Sequence, residues 1–284
     1  MGIPDLLIDQ QSEAAPILVD RSRLAFQQFS TLIPVNGLTA SRVGPVLLLT
    51  IQRPDKRNAV DHMVLAAMSQ SLDMFEADDT LRTGIISGAD GTFCAGADLA
   101  DRLAGNKVVD ANGFAGVTRR RRTKPLIAAV EGYAVGGGFE LALSCDMIVA
   151  SRTAKFGLPE VKRSVLAAEG GLFRTARALG KSTAMHIALT GQPIDATRLY
   201  ELGLVCELTA AGEALSAAVR IAEEIGANPK EAVLESRALI EQAVEYGADS
   251  LWADTRRAYS RIRRSANYRR GAQAFVSKES PEWD

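Results

Sequence analysis

Runs of apolar residues alternate with glycine-rich turns and helix-like patterns over the first two thirds of the chain. Continuous apolar runs bounded by Gly, Pro or Asp are typical of strands that are buried on both faces of a sheet. Amphipathic helices instead repeat their apolar positions every three or four residues. The pattern predicts strands over residues 46–52, 82–88, 126–132 and 147–151 and a helix over 63–77, with Asp61 as its N-cap.

A strand, a glycine-rich turn and a helix recur in the same order along the chain. The strand at 82–88 leads into FCAGADL (93–99) and a helix LADRLA. The strand at 126–132 leads into AVGGGFEL (134–141) and a helix FELALSC. Together with the strand at 147–151, this layout predicts a coiled, stacked α/β unit rather than a protein built of hairpins.

The two ends of the chain differ from its middle. From about Ala211, three helical patterns follow one another without an intervening strand, and residues 1–36 show little periodicity. We therefore divide the chain into an N-terminal extension that is flexible in the simplest interpretation (1–36), a core domain (37–210) and a mostly helical C-terminal region (211–284). The apolar stripe of the helical region needs a partner surface, from this chain or from another.

Composition is typical of a soluble globular protein. The chain has 284 residues, of which 47% are apolar and 24% charged, and this argues against wholesale disorder. The net charge of −1 gives no reason to expect nucleic acid or a membrane surface as the main partner. We expect neither a transmembrane helix nor a secretory signal. Three widely spaced cysteines, Cys94, Cys145 and Cys206, fit a reducing cytoplasm, where disulfides are rare.

Histidine and cysteine chemistry is poorly supported by the sequence. Only two histidines are present, His62 and His186, and neither has the context of a nucleophile–base pair. Both are expected to be ordinary helix residues, and Cys94 is expected to be a packed small residue. We therefore expect any chemistry to run on carboxylates and backbone amides.

Each glycine-rich turn leaves free main-chain N–H groups where a strand enters a helix. Such donors, reinforced by the helix dipole, hold an anion, and small residues let a ligand approach the backbone. Ala97 lies in the first turn and Gly137 in the second. Two donors that converge on one carbonyl oxygen would form an oxyanion hole. Taken singly, each turn is equally well explained as a structural loop.

Two glutamates are placed to return to one cleft. Glu140 lies in the first turn of the helix that follows GGG, and Glu160 lies on the loop FGLPE, to which the chain comes back after the strand at 147–151. Paired carboxylates hold a proton between them, with their pKa values pushed apart. One then takes a proton from water while the other supplies one to carbon. Either glutamate alone would be interpreted as a surface residue.

Several motifs in a fixed order make the chain similar to the crotonase (enoyl-CoA hydratase/isomerase) family, from about Val46 to Glu207 and more loosely to the end. The resemblance lies in RPDKRNAVD (53–61), FCAGADL (93–99), KPLIAAVEGYAVGGGFELALSCD (124–146), KFGLPEV (155–161) and ALTGQPIDA (188–196). It implies the crotonase-type (ClpP/crotonase) α/β fold, a spiral of ββα units with a C-terminal helical trimerisation region. It also implies a homotrimer, or a homohexamer made of two trimers.

The resemblance further implies a function and a site. The N–H groups of Ala97 and Gly137 would bind the thioester oxygen, and Glu140 and Glu160 match the two catalytic glutamates of the hydratases. The implied coenzyme A contacts are Lys56, Arg57, Ala59, Ala95, Asp98 and Leu99, with Phe275 and Lys278 reaching the coenzyme A of a neighbouring subunit. The prediction is an enoyl-CoA hydratase, a hydro-lyase that adds water reversibly and syn to a 2-enoyl-CoA. The partner is the acyl-CoA substrate, of which coenzyme A is a part, and no metal or redox cofactor is expected.

Three alternatives stay open at this point. They are an enoyl-CoA isomerase that works with one glutamate, a carnitinyl-CoA dehydratase-like enzyme, and a non-catalytic acyl-CoA-binding protein on the same fold. The second alternative rests on VKR (161–163), which follows Glu160 and resembles that branch of the family. The sequence therefore does not predict the acyl group.

Two features depart from the pattern of the family. Many hydratases have a glycine-rich IPGAGG segment where this chain has VLAAEGG (165–171), which adds Glu169. We expect first that Glu169 faces solvent. The two other interpretations are that it narrows the pocket or that it perturbs the protons of the glutamate pair. The run RRRR (119–122) is expected to be an exposed face, with help in holding coenzyme A phosphates as the second interpretation.

Overall fold

The computed structural model describes residues 30–35, 37–245, 256, 260, 263–264 and 266–280. The strands are β1 Ser30–Val35, β2 Leu38–Val43, β3 Val46–Ile51, β4 Thr83–Gly88, β5 Val109–Asp110, β6 Gly113–Phe114, β7 Leu126–Val130, β8 Tyr133–Val135, β9 Met147–Ser151, β10 Lys155–Gly157, β11 Ile194–Asp195 and β12 Glu207–Thr209. The helices are α1 His62–Ala77, α2 Leu99–Leu103, α3 Gly137–Leu143, α4 Gly171–Thr190, α5 Ala196–Glu201, α6 Ala214–Gly226, α7 Lys230–Glu245 and α8 Ala266–Ser277. Two 3-10 turns, Pro54–Lys56 and Pro159–Arg163, carry residues of the sequence motifs.

The main sheet has seven strands in the order β1-β2-β3-β4-β7-β9-β12. Strands β3, β4, β7, β9 and β12 run parallel to one another, whereas β1 and β2 form an antiparallel edge. Parallel neighbours require crossover connections, and the turns and helices between these strands provide them. The predicted α/β architecture is therefore observed, with a sheet that is mostly parallel.

A smaller sheet, in the order β11-β10-β8, brings the two glutamate motifs together. Strand β8 leads into the turn before Glu140, and β10 leads into the 3-10 turn that carries Glu160. These two strands pair in parallel, with Phe156 opposite Ala134. Their carboxyl ends therefore meet at the same edge, as the sequence predicted for the two segments.

Strand β3 is buried on both faces, which explains its continuous apolar run. Leu47 and Leu49 belong to the larger core with α1, while Val46 and Leu48 belong to a second core on the other face. Helix α6 closes this second core with alanines at successive turns, Ala214, Ala218 and Ala222. The main sheet is thus covered by the first helix of the segment that we assigned to the C-terminal region.

The predicted elements agree with the structure where the local pattern was strong. The strands at 46–52, 82–88, 126–132 and 147–151 and the helix at 63–77 are confirmed, and Asp61 caps α1 by accepting a hydrogen bond from Val64 N–H over 2.9 Å. Strand β1 lies within the segment assigned to the N-terminal extension, so the sheet begins before residue 37. The rest of that extension, 1–29 and 36, lies outside the described residues. The division into three parts and the oligomerisation role of 211–284 stay predictions.

Candidate active site

The two glycine-rich turns lie directly against each other. Cys94 N–H donates to the carbonyl of Tyr133 over 2.9 Å, and Val135 N–H donates to the carbonyl of Cys94 over 3.1 Å. The contact leaves no room for a side chain at Gly138, because a Cβ atom there would lie 2.0 Å from the Cys94 oxygen. Glycine is therefore required at this position for the turns to meet.

The predicted oxyanion donors belong to this pair of turns. A Cβ atom on Gly96, whose φ is +92°, would lie 3.0 Å from Gly137 N, so the residue before Ala97 adjoins Gly137. Within the described part of the chain, neither the Ala97 nor the Gly137 N–H donates a hydrogen bond. Gly137 is also the first residue of α3, where the helix dipole favours negative charge. The two amides are thus suited to an anionic oxygen.

Glu140 is buried beneath the second turn, and one of its oxygens is fixed. Its residue is 4% exposed, and Oε1 accepts hydrogen bonds from Glu169 N–H over 2.8 Å and from Gly171 N–H over 2.9 Å. A Cβ atom on Gly171 would lie 3.0 Å from the same oxygen, so glycine permits this close approach. The carboxyl direction is therefore set by the backbone at 169–171.

Glu160 reaches the same turn from the other motif. Its Oε1 lies 3.3 Å from where a Cβ atom on Gly136 would stand, next to Gly137. Its Oε2 is buried and accepts no hydrogen bond from the described residues. A buried acceptor without a partner is costly, and such atoms are typical of sites that receive a ligand or a water.

Burial raises the pKa values of both glutamates, and charge repulsion adds to the shift of Glu140. Burial raises the pKa of Glu140 to about 8, with a further contribution from the charge of Glu160, against the opposing effect of the Gly171 and Glu169 amides. Burial also raises the pKa of Glu160 to about 7. Two carboxyl groups in one site titrate as a pair. Near neutral pH the pair can therefore hold one proton, with one member as base and the other as acid.

The predicted coenzyme A residues of the first motif are held around the first glycine-rich turn. Ala95 N–H donates to the carbonyl of Arg57 over 3.0 Å, and Arg53 Nη2 donates to Asp98 Oδ2 over 2.9 Å. Lys56 and Arg57 are exposed on the 3-10 turn and at its end.

The remaining members of this group lie close by in the chain. Ala59 is buried, and its carbonyl accepts a hydrogen bond from Arg53 Nη1 over 2.5 Å. Asp98 caps α2, which begins at Leu99, by accepting hydrogen bonds from Ala100 and Asp101 N–H. The structure thus brings Lys56, Arg57, Ala59, Ala95, Asp98 and Leu99 to one region beside the predicted oxyanion donors.

Phe275 and Lys278 lie in and just after α8, which packs against its own chain. Helix α8 contacts α2 and the 3-10 turn Pro159–Arg163. The Arg163 guanidinium lies over the Phe275 ring, 5.6 Å from its centroid. Phe275 is therefore beside this chain's own Glu160 segment, and the contact of Phe275 and Lys278 with a neighbouring subunit stays a prediction.

The expectation for Glu169 was wrong. Glu169 is buried rather than facing solvent, and its carboxylate accepts hydrogen bonds from Arg119, Thr118 and Phe114. Sequence reasoning missed this because Glu169 and Arg119 are 50 residues apart and only the fold brings them together. Two features of the sequence could have suggested the pair. An acid, Glu169, stands within a segment that is glycine-rich in many hydratases, and the arginine run 119–122 has no acidic partner nearby in the chain.

The expectation that 119–122 forms an exposed face was also wrong. Arg119 pairs with Glu169, Arg120 pairs with Asp73 over 2.5 Å, and Arg122 pairs with Asp146 over 2.8 Å. The side chains of Arg120 and Arg122 are 6% and 4% exposed, and only Arg121 of this run is an exposed residue. The run is therefore mostly structural.

The cysteine and histidine expectations agree with the structure. Cys94 is fully buried, and burial raises the pKa of its thiol to about 12, which leaves it protonated and unreactive. His62 begins α1 with its Nδ1 2.9 Å from Asp101 Oδ1, and His186 lies within α4.

None of the helices in the described ranges is both long enough and apolar enough to cross a lipid bilayer.

The chain is similar to known proteins over most of its length. The family model for enoyl-CoA hydratase/isomerase matches residues 42–284. The mevalonyl-coenzyme A hydratase of Aspergillus fumigatus is 38% identical over 264 residues, which cover 88% of this chain and 95% of that protein. The carnitinyl-CoA dehydratase of Proteus mirabilis is 35% identical over 249 residues, which cover 84% of this chain and 95% of that protein.

Solved structures of enoyl-CoA hydratase-like proteins have the same fold as this chain. The crystal structure of a carnitinyl-CoA hydratase from Mycobacterium avium superimposes with a TM-score of 0.83 at 36% identity. The match covers 87% of this chain and 98% of that chain. The fold predicted from the sequence motifs is thereby confirmed.

Proposed function

The chain belongs to the enoyl-CoA hydratase/isomerase (crotonase) family, and from this membership we propose that it hydrates 2-enoyl-CoA thioesters with Glu140 and Glu160 as the acid–base pair. The proposal rests on one observation above all. Two carboxyl groups flank the same pair of turns: Glu160, whose Oε2 is buried, lies beside Gly136, and the buried Glu140 lies in the helix that Gly137 begins. A single glutamate would suffice for moving a double bond, whereas adding water calls for a base and an acid together.

The thioester oxygen is held by the Ala97 and Gly137 amides in this proposal. When a nucleophile adds to the β-carbon, negative charge develops on that oxygen, and the two N–H donors stabilise the resulting enolate. They are available for this because neither has an acceptor in the described part of the chain. Loss of one such donor typically raises the barrier by roughly 2.7–4 kcal/mol.

The proton balance follows from the raised pKa values. The ionised carboxylate takes a proton from water as the water oxygen bonds to the β-carbon, and the protonated carboxyl gives its proton to the α-carbon. The double bond is replaced by one C–O and one C–H bond, and the pair still holds one proton. Glu160 Oε2 and Glu140 Oε2 are the oxygens without donors from the described residues, which supports their facing the reactants.

Coenzyme A is the handle that positions the acyl end. Lys56 and Arg57 are exposed cations beside the first turn, and such groups are charge-assisted partners for phosphates. Binding of this remote part of the substrate contributes to orientation at the reacting carbons. We further propose a cytoplasmic homotrimer or homohexamer.

The deciding experiment is steady-state hydration of crotonyl-CoA by the wild type, Glu140→Gln and Glu160→Gln, with Glu201→Gln as a surface control. Each of the first two variants should lose about 10²–10⁴-fold in kcat, the usual contribution of a positioned acid or base. Their dissociation constants for butyryl-CoA, which has no double bond, should stay close to that of the wild type. The control replaces an exposed partner of Arg198 and should leave both quantities unchanged.

Other results would select other functions. Near-unchanged turnover by both variants would remove the glutamate pair from the mechanism. Isomerisation of a 3-enoyl-CoA without hydration by the wild type would favour the isomerase. Saturable binding of acyl-CoA without turnover at any chain length would favour a binding protein.

A further inference from the structure

Glu169 is a buried charged residue that the proposed chemistry does not use. It is 9% exposed, and its carboxylate has three donors: Arg119 Nη2 at 2.6 Å, Thr118 Oγ1 at 3.0 Å and Phe114 N at 3.2 Å. Donors on all sides stabilise the ionised form, although burial raises the pKa of this carboxyl. So complete a set of partners indicates that the side chain is an anchor rather than a ligand-binding group.

The main chain of the same residue holds Glu140. Glu169 N–H and Gly171 N–H both donate to Glu140 Oε1, over 2.8 and 2.9 Å. The turn that supplies these amides is also held by the Glu169 side chain, whose carboxylate is bonded to Arg119 and Thr118. Arg174 adds a further tie, since its Nη1 donates to the Glu169 carbonyl over 3.1 Å and its Nη2 to the Thr118 carbonyl over 2.7 Å.

A second branch of the network leads to the proposed oxyanion donor. Phe114 N–H is shared between Thr118 Oγ1, at 2.8 Å, and Glu169 Oε2, at 3.2 Å, and the Phe114 ring packs on Gly137. A Cβ atom on Gly137 would lie 2.8 Å from Cζ of that ring. The ring therefore supports the residue whose amide is proposed to bind the thioester oxygen.

We propose that Glu169, through its ion pair with Arg119, is a positioning residue that fixes Glu140 and the Gly137 turn relative to each other. The inference rests on the proposed function, because it assigns a role to the surroundings of that site. Glu169 contacts both the turn that orients Glu140 and Phe114, whose ring packs on Gly137. Misplacement of either by a fraction of an ångström would slow the reaction while leaving coenzyme A bound.

The charge of Glu169 also bears on Glu140. The charged groups that face Glu140 or Glu169 are Glu160 in the 3-10 turn, Arg119 after β6 and Arg174 in α4. A negative charge at Glu169 favours the protonated form of Glu140. Its removal, with Arg119 still present, should lower the pKa of Glu140.

The test compares kcat, KM and pH profiles for crotonyl-CoA in Glu169→Gln, Glu169→Ala, Arg119→Met and the Glu169→Ala/Arg119→Met double variant. Glu169→Ala should lower kcat about tenfold or more with KM within about twofold of the wild type. Glu169→Gln keeps the shape and should keep an intermediate kcat, with the limb of the pH profile that reports Glu140 moved to lower pH. The double variant should be no slower than Glu169→Ala, because both changes break one unit.

Asp73→Asn is the matched control. It breaks the neighbouring Arg120–Asp73 pair, which does not touch Glu169, and should leave kcat and the pH profile as in the wild type. The positioning role is overturned if Glu169→Ala and Glu169→Gln keep kcat within about twofold, or if the single losses multiply in the double variant. A wild type that does not hydrate refutes the proposed function itself, whereas an active wild type with unaffected variants refutes only this inference.

Discussion

Glu169 N–H donates to Glu140 Oε1 over 2.8 Å, from a position 29 residues further along the chain. Gly171 N–H bonds to the same oxygen, so one side of the Glu140 carboxyl is fixed by backbone. The other oxygen, Oε2, accepts no hydrogen bond from the described residues, and it is the oxygen that the proposed proton transfer would use. The direction of the proposed acid–base group is therefore decided by a turn outside its own helix.

Hydration should have a bell-shaped pH dependence with its maximum in the neutral range. Burial raises the pKa of Glu160 to about 7 and that of Glu140 to about 8. Well below both values the pair has no base, and well above both it has no acid, so kcat should fall on each side. A kcat for crotonyl-CoA that stays level from acid to alkaline pH would contradict a proton-sharing pair.

Glu140→Gln should make the protein more stable at alkaline pH while removing activity. Between the ordinary glutamate value and about 8, the native state binds the Glu140 proton more tightly than the unfolded state, so the free energy of unfolding falls as pH rises. Each unit of the shift corresponds to about 1.4 kcal/mol, and Gln carries no such penalty because it does not ionise.

The measurement is the melting temperature at pH 6 and pH 9. The variant should lose less stability than the wild type between the two, by at least roughly 2–4 °C, the equivalent of about 1 kcal/mol in a chain of this size. Glu201→Gln, at an exposed surface pair, should follow the wild type. Parallel pH curves for wild type and Glu140→Gln would show that the native state does not hold this proton tightly.

Gly138→Ala should separate the two glycine-rich turns. The new Cβ atom would stand 2.0 Å from the Cys94 carbonyl oxygen, so the backbone of one turn must move. Because both proposed oxyanion donors depend on this contact, hydration should fall by about 10²-fold or more. Gly226→Ala is the helical control, since its Cβ would be 3.4 Å from Pro45 Cγ and fits without displacement. Full hydration activity in Gly138→Ala would exclude this contact as a requirement.

Lys56→Ala and Arg57→Ala should weaken coenzyme A binding without slowing the chemical step. Loss of a charge-assisted contact of roughly 1.5–3 kcal/mol corresponds to a rise in KM of about tenfold or more. The rise should vanish with crotonyl-pantetheine, which lacks the nucleotide, and should shrink as salt screens the phosphates. Lys181→Ala removes an exposed cation from α4 and serves as the control. Equal effects on both thioesters would place Lys56 and Arg57 away from the nucleotide.

Strong local patterns carried the successful predictions. The run 46–52 is mostly apolar because β3 is buried on both faces. The Asp61 cap of α1 was predictable because it involves only residues up to Val64. The bounds of helix α4, which is interrupted at Gly180 by a non-helical backbone conformation, were not predicted, although His186 was expected to lie in a helix. Strands β8 and β10 have three residues each, too short to show a period, and they form because each is paired with the other.

The sequence by itself determined the parts: two glycine-rich turns whose amides are proposed to bind an anion, two glutamates that follow them, and the main strands and helices. These depend on neighbours within a few residues, where chain connectivity fixes the geometry. Only the tertiary structure decided that Glu169 is buried beside Glu140 and paired with Arg119, against the expectation that it faces solvent. Burial and ion pairing are set by segments that are distant in the chain. The pKa values of the glutamates follow from that environment rather than from residue type.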